Sequence, residues 1–159
     1  NLLYADFELW MNLMQSGYKA TLKDESCSYR IHPLSTTSSS SKLSYYYAFN
    51  RMLDFFIGLS KKGPEYRTVF ERYGAGFLMH NCQAVSHHLL QIPKKQRNGV
   101  SVHEFLKAFK EKMDTLIVDN KYSPEEIRSI RIGKMIDDNL ILHQLFLMLK
   151  SVYPKPILR

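Results

Sequence analysis

The chain has 159 residues, of which 45% are hydrophobic and 13% aromatic, enough for a single domain that buries roughly 70% of the surface its unfolded chain exposes. This composition excludes a wholly disordered chain, and two cysteines exclude a disulfide framework. The net charge of +7 is unevenly placed, because residues 1–59 balance while residues 60–159 carry 17 basic against 10 acidic side chains. Such a field suits nucleic acid, anionic lipid or an acidic protein, and it is also of the size that ordinary solubility requires.

In chain order, Leu2 to Gln15 has apolar residues at 2, 3, 7, 9, 10, 13 and 14, which predicts a helix with one broad apolar face, closed by Gly17. An initial Asn1 suggests an excised or processed domain. From Tyr18 to Lys42 the periodicity disappears and the segment ends in the run Ser35–Ser41, so a mobile Ser-rich loop is expected over 18–42. No Asn-x-Ser/Thr sequon and no signal peptide occur, which makes an intracellular, reducing compartment the default expectation.

A long helix is predicted from about Lys42 to Ser60, apolar at 45, 46, 49, 52, 53, 56, 57 and 59 and therefore central. Arg51 and Asp54 lie in the middle of its apolar stretch, so it reads as a core helix and not a membrane span. Of its tyrosines, Tyr46 is expected in the core, while Tyr45 and Tyr47 are candidates for partner contact. Pro64 suits the first turn of a third helix. Gly74-Ala75-Gly76 then reads as a corner or a close helix–helix approach, and a fourth helix continues to Ile92.

Pro93 to Gly99 is a basic polar turn. Ser101-Val102-His103-Glu104 is a capping box, in which serine and glutamate satisfy each other's early N–H groups. It opens an amphipathic helix through Val102, Phe105, Leu106, Phe109, Met113, Leu116 and Ile117. Ser123-Pro124-Glu125-Glu126 repeats the device, Ile127, Ile130, Met135 and Ile136 follow on one face, and Asn139 caps or breaks the chain before a last helix over Leu140–Val152, stopped by Pro154 and Pro156. The expected fold is all-α, with six or seven helices packed as antiparallel hairpins, either armadillo/HEAT-like or an irregular bundle, in one domain over 1–159.

No catalytic, cofactor or metal motif emerges. The loop before Glu104 reads Lys94, Lys95, Gln96, Arg97 and Asn98, where calcium needs carboxylates, so the capping box accounts for the glutamate. His80, Cys82, His87 and His88 have metal-ligand chemistry, but Cys82 points about 200° away from His80 on a helix. Cys82 reads as a small buried residue. Asp137-Asp138 and Glu125-Glu126 are adjacent pairs that diverge on a helix and make poor acid/base partners. Lys94, Lys95, Arg97, Arg128, Arg131 and Lys134 form the candidate partner-facing charge, with Tyr45 and Tyr47 as candidate aromatic contacts.

Phe56-Ile57-Gly58-Leu59-Ser60, Glu65-Tyr66-Arg67-Thr68-Val69-Phe70 and Tyr73-Gly74-Ala75 together resemble an armadillo- or HEAT-type helical junction. The resemblance covers about residues 52–82, and no second copy occurs at the repeat period. It implies stacked helical hairpins of the kind found in non-catalytic scaffolds of large ubiquitin-pathway enzymes and other adaptors. The functional expectation is a non-enzymatic domain that binds another protein or peptide segment. A basic helical domain that binds nucleic acid is the alternative, and a divergent enzyme without recognisable motifs the second.

Overall fold

The computed structural model describes residues 41–116 and 127–152. The predicted helix over Leu2–Gln15, most of the 18–42 loop, the Ser123 capping box and the Pro154 and Pro156 stop lie outside them. Among the described residues the fold is all-α: six α-helices, one π turn and one 3₁₀ turn, with no strand. We number the helices α1 (Lys42–Ser60), α2 (Pro64–Val69), α3 (Ala75–Leu90), α4 (Val102–Leu116), α5 (Arg128–Asp138) and α6 (Leu140–Val152).

Helix α1 begins where the Ser run ends. The Ser41 hydroxyl oxygen accepts the Ser44 N–H at 3.2 Å, satisfying one of the early donors that a helix leaves free. Its buried side chains, Ala48, Phe49, Met52, Leu53, Phe56 and Leu59, recur at helical spacing and face α3 and α4. Phe49 lies 5.8 Å from Phe105 and 5.7 Å from Phe109 in ring-centroid distance, and Phe56 lies 5.4 Å from Phe70. These aromatic contacts tie α1 to α4 and to the turn after α2, and each is worth about 0.5–1.5 kcal/mol beyond its buried area. On the exposed side, Arg67 Nη2 donates to the Thr115 carbonyl at 3.1 Å, placing a cation at the C-terminal end of α4.

The expected corner at Gly74-Ala75-Gly76 does not form. The backbone runs helically from Pro64 to Leu90, with a π turn over Phe70–Gly74 between α2 and α3. A turn of wider pitch brings Phe70 and Ala75 onto one face, and both are buried. The two outer members of the motif therefore have different jobs. A Cβ on Gly74 would meet the Phe70 ring at 2.5 Å, whereas a Cβ on Gly76 would meet nothing within 4 Å. Gly74→Ala is expected to destabilise by about 1–3 kcal/mol, because the buried ring has no room to yield and overpacking outweighs the roughly 1 kcal/mol gained in helix propensity. Gly76→Ala is expected to stabilise by about 0.5–1 kcal/mol. Urea unfolding of both variants checks the pair, and shifts of the same sign would contradict this account.

The capping box forms as predicted. The Ser101 hydroxyl accepts the Glu104 N–H at 3.0 Å, and Glu104 Oε2 accepts the Ser101 N–H at 3.3 Å. Helix α4 then buries Val102, Phe105, Leu106, Phe109, Met113 and Leu116. Asn139 also caps: its Oδ1 accepts the N–H groups of Ile141 and Leu142 at 3.0 and 3.1 Å. This cap separates α5 from α6 and lets them pack on each other. Helix α5 comes close to α3 at Gly133, where an added Cβ would stand 2.9 Å from Leu90 Cδ1.

Candidate interaction surface

Helix α6 has the sequence LILHQLFLMLKSV, apolar on nearly every side, yet only His143 and Phe146 on it are buried. These two lie one helical turn apart and face α5 and the core. Leu140, Ile141, Leu145, Met148, Leu149 and Val152 are each between 50% and 72% exposed. Ile141, Leu145, Met148 and Val152 follow i, i+4, i+7, i+11 spacing, which makes one stripe along the side of α6 opposite His143. Met135 on α5 is 58% exposed as well. Single exposed apolar residues are ordinary, but a contiguous apolar stripe on a helix is a feature of interaction sites.

The inner side of α6 is anchored by a buried polar cluster. Arg97, in the turn between α3 and α4, is 0% exposed. Its Nε donates to the Ile92 carbonyl at 2.8 Å, its Nη1 to Asp137 Oδ1 at 2.6 Å, and its Nη2 lies 2.7 Å from His143 Nε2. Asp137 Oδ2 accepts the Val102 N–H at 2.9 Å. A charged pair this deep is tolerated because the guanidinium and both carboxylate oxygens have partners. His143 Nε2 also lies 2.9 Å from the Leu90 carbonyl. The guanidinium only donates and the carbonyl only accepts, so Nε2 serves one of them at a time. Burial lowers the proton affinity of His143; the Leu90 carbonyl opposes that effect and Arg97 adds to it. The ring therefore joins α6 either to the turn, when Nε2 accepts from Arg97, or to α3, when Nε2 donates to the Leu90 carbonyl.

Arg97 thus leaves the partner-facing set that the sequence suggests. Its charge is spent inside the fold, and the reason is visible in the backbone: Asn98 and Gly99 take φ of 52° and 83°, reversing the chain immediately after it. Lys94 and Lys95 remain exposed in the 3₁₀ turn Lys94–Gln96, and Arg128 and Arg131 are exposed on α5. Lys134 is partly buried. Tyr47 is 49% exposed, whereas Tyr45 stacks on His88 with ring centroids 4.4 Å apart. Tyr46 is half-buried against the core, edge-on to Phe105. The aromatic and basic candidates therefore sit on different elements, and the structure adds the apolar stripe of α6, which the sequence reading did not single out. Its signal was an apolar helix with no polar face, a pattern that normally marks a fully buried element.

Between α3 and α5 runs a groove of about 180 Å³, bordered by His80, Gln83, His87 and Ser129. Gln83 Nε2 donates to the Ser129 hydroxyl at 2.7 Å across it. Cys82 is fully buried, and burial raises its thiol pKa far above the ordinary range. Among the described residues no group of three or more His, Cys, Asp or Glu side chains is arranged to hold a metal ion, and no helix is long and apolar enough to cross a membrane. Comparison of the chain with protein-family models, with curated proteins and with solved structures gives no match.

Proposed function

We propose that this chain is a non-enzymatic α-helical interaction domain whose binding element is α6 and whose partner is an amphipathic, acid-flanked helical segment of another protein. The exposed stripe Ile141, Leu145, Met148 and Val152 carries the reading. A helix laid against it would bury apolar side chains at matching i, i+4, i+7 positions, the usual geometry of helix recognition. Arg128 and Arg131 on the adjoining α5 and Lys94 and Lys95 in the turn favour acidic flanks on the partner. Of the groups with shifted proton affinity, Cys82 and His143 are 0% exposed and out of reach of a substrate, whereas His87 and His88 are partly exposed. The armadillo-type junction supports a scaffold role only in part, since Gly74 lies inside a continuous helix.

The test is a selection of helical peptides from an amphipathic library against the full chain. The expected binders are acidic, and their affinity falls at least about tenfold, equivalent to about 1.4 kcal/mol, in the doubly substituted Leu145→Glu/Met148→Glu chain. Lys107→Glu, on the exposed side of α4, leaves it unchanged. Binders indifferent to the α6 changes would overturn the assignment. Salt-dependent binding to random DNA or RNA, lost on reversing Arg128 and Arg131, would replace it with the nucleic-acid alternative.

A further inference from the structure

Helix α6 is held by few side chains. Of its 13 residues only His143 and Phe146 are buried, so one of its two buried contacts is a group that ordinarily titrates at about pH 6.5. The space around that ring suits a neutral imidazole alone. Nε2 lies between Arg97 Nη2 at 2.7 Å, which only donates, and the Leu90 carbonyl at 2.9 Å, which only accepts. Nδ1 is buried with no hydrogen-bond partner among the described residues. A protonated ring carries N–H on both nitrogens. Its Nε2–H would keep the Leu90 carbonyl but meet the guanidinium donor, and its Nδ1–H would be a buried donor without an acceptor.

The charges around the ring act mostly in the same sense. Arg97 and Lys94 from the turn oppose a positive His143, and Asp137 from α5 favours one. Both Asp137 oxygens are already engaged, by Arg97 Nη1 and by the Val102 N–H at the start of α4, so turning either to the ring would weaken the turn or α4. The other end of α6 repeats the pattern. Lys150 in its last turn and Lys42 at the start of α1 both disfavour a charged His87 on α3, whose Nε2 is likewise buried without a hydrogen-bond partner among the described residues. The neighbouring His88 is disfavoured in its charged form by burial and then by His87 and Lys42. Acid therefore adds positive charge towards both ends of α6, against Arg97 at one and Lys150 at the other.

From this arrangement we infer that α6 is a proton-released latch: it stays docked while His143 is neutral, and acidification frees it from α5 and the turn before the core of α1, α3 and α4 opens. That core is closed by apolar and aromatic contacts such as Phe49, Met52, Leu78, Phe105 and Phe109, which do not titrate. A freed helix of this length is marginal in water, and it leaves the cations of α5 and the turn behind. The partner would then lose both the ordered apolar stripe and its charge match. This regulation rests on α6 being the binding surface.

Amide hydrogen exchange of the unaltered full chain between pH 7.5 and 5.5, corrected for intrinsic rates, tests the release without any partner. Protection over Leu145–Leu149 is expected to fall with pH and to stay at least about tenfold below that of α1, α3 and α4, the mark of a local opening. In His143→Gln the side-chain amide can accept from Arg97 and donate to the Leu90 carbonyl but cannot titrate, so most of the pH dependence over α6 should disappear. His103→Gln, on the exposed side of α4, should keep it. The selected acidic peptides are expected to bind the unaltered chain more weakly at pH 5.5 than at 7.5, and His143→Gln equally at both. Protection of α6 that is constant with pH, or equal to that of the core, would overturn the latch, as would a pH dependence that survives His143→Gln in full. Peptide affinity that is constant while α6 opens would overturn its regulatory role. The binding-surface reading fails separately, if peptides at pH 7.5 are indifferent to the α6 substitutions.

Discussion

Replacing Asp137 with alanine is expected to destabilise the chain by about 3–5 kcal/mol, a large share of the roughly 5–15 kcal/mol that holds a typical domain folded. Two losses combine. Arg97, fully buried, keeps its Ile92 bond but loses the carboxylate 2.6 Å from Nη1, leaving a cation without compensation in the interior. The Val102 N–H at the start of α4 loses its 2.9 Å acceptor, and an orphaned buried donor costs about 1–3 kcal/mol. The effect belongs to the unpaired charge and not to a net gain from the pair. Arg97→Met combined with Asp137→Leu should therefore recover much of the loss, because apolar replacement of a whole buried pair is often neutral or stabilising. Urea midpoints at pH 7 decide it. A loss below about 1 kcal/mol for Asp137→Ala would place the pair among weak surface bridges.

The same pair shows where the sequence was readable and where it was not. Local signals survived folding. The apolar period and the terminal serine of the Ser run place α1 at Lys42–Ser60, the Ser101–Glu104 box forms with both reciprocal bonds, and Asn139 caps α6. Each depends on residues within four positions of one another, which is the range a sequence pattern reports. Arg97 failed because its partners Asp137 and His143 lie 40 and 46 residues away, and a lysine- and arginine-rich turn reads as solvated until such partners are placed. Gly74 failed for a different reason. Two glycines around an alanine normally mark a turn, but here Gly74 makes room for the Phe70 ring inside a π turn.

The α6 stripe was present as composition and absent as a prediction, since an apolar helix is ordinarily assigned to the core. The contact pattern corrects that assignment: among the described residues α6 packs chiefly on α5, and its other side is exposed. Burial, and not hydrophobicity, distinguishes an exposed apolar helix from a core helix.

Acidification should weaken the fold as pH falls through and below about 6.5, and the histidines are the reason. His87, His88 and His143 all have lowered proton affinity, in each case first because burial disfavours the charged ring. Lys150 and Lys42 add to the effect at His87, His87 and Lys42 at His88, and Arg97 and Lys94 at His143, where the Leu90 carbonyl and Asp137 act in the opposite sense. The unfolded chain takes up protons near the ordinary histidine value of about 6.5, whereas the folded chain does so only at lower pH. Within that interval the unfolded state binds more protons, so stability rises with pH and is lost as pH falls. Only about a unit or more above pH 6.5 are all three rings essentially neutral in both states, and there the dependence levels off. One fully shifted histidine contributes a slope of at most about 1.4 kcal/mol per pH unit, and three contribute at most about 4. Partial exposure of His87 and His88 reduces their share, so urea midpoints between pH 7 and 5 are expected to fall with pH, by less than that upper bound. In His88→Phe, which keeps an aromatic ring against Tyr45 but cannot titrate, the slope should fall without a loss of stability at pH 7.5. A flat profile through pH 6 would show that these rings accept protons in the folded chain as readily as in the unfolded one.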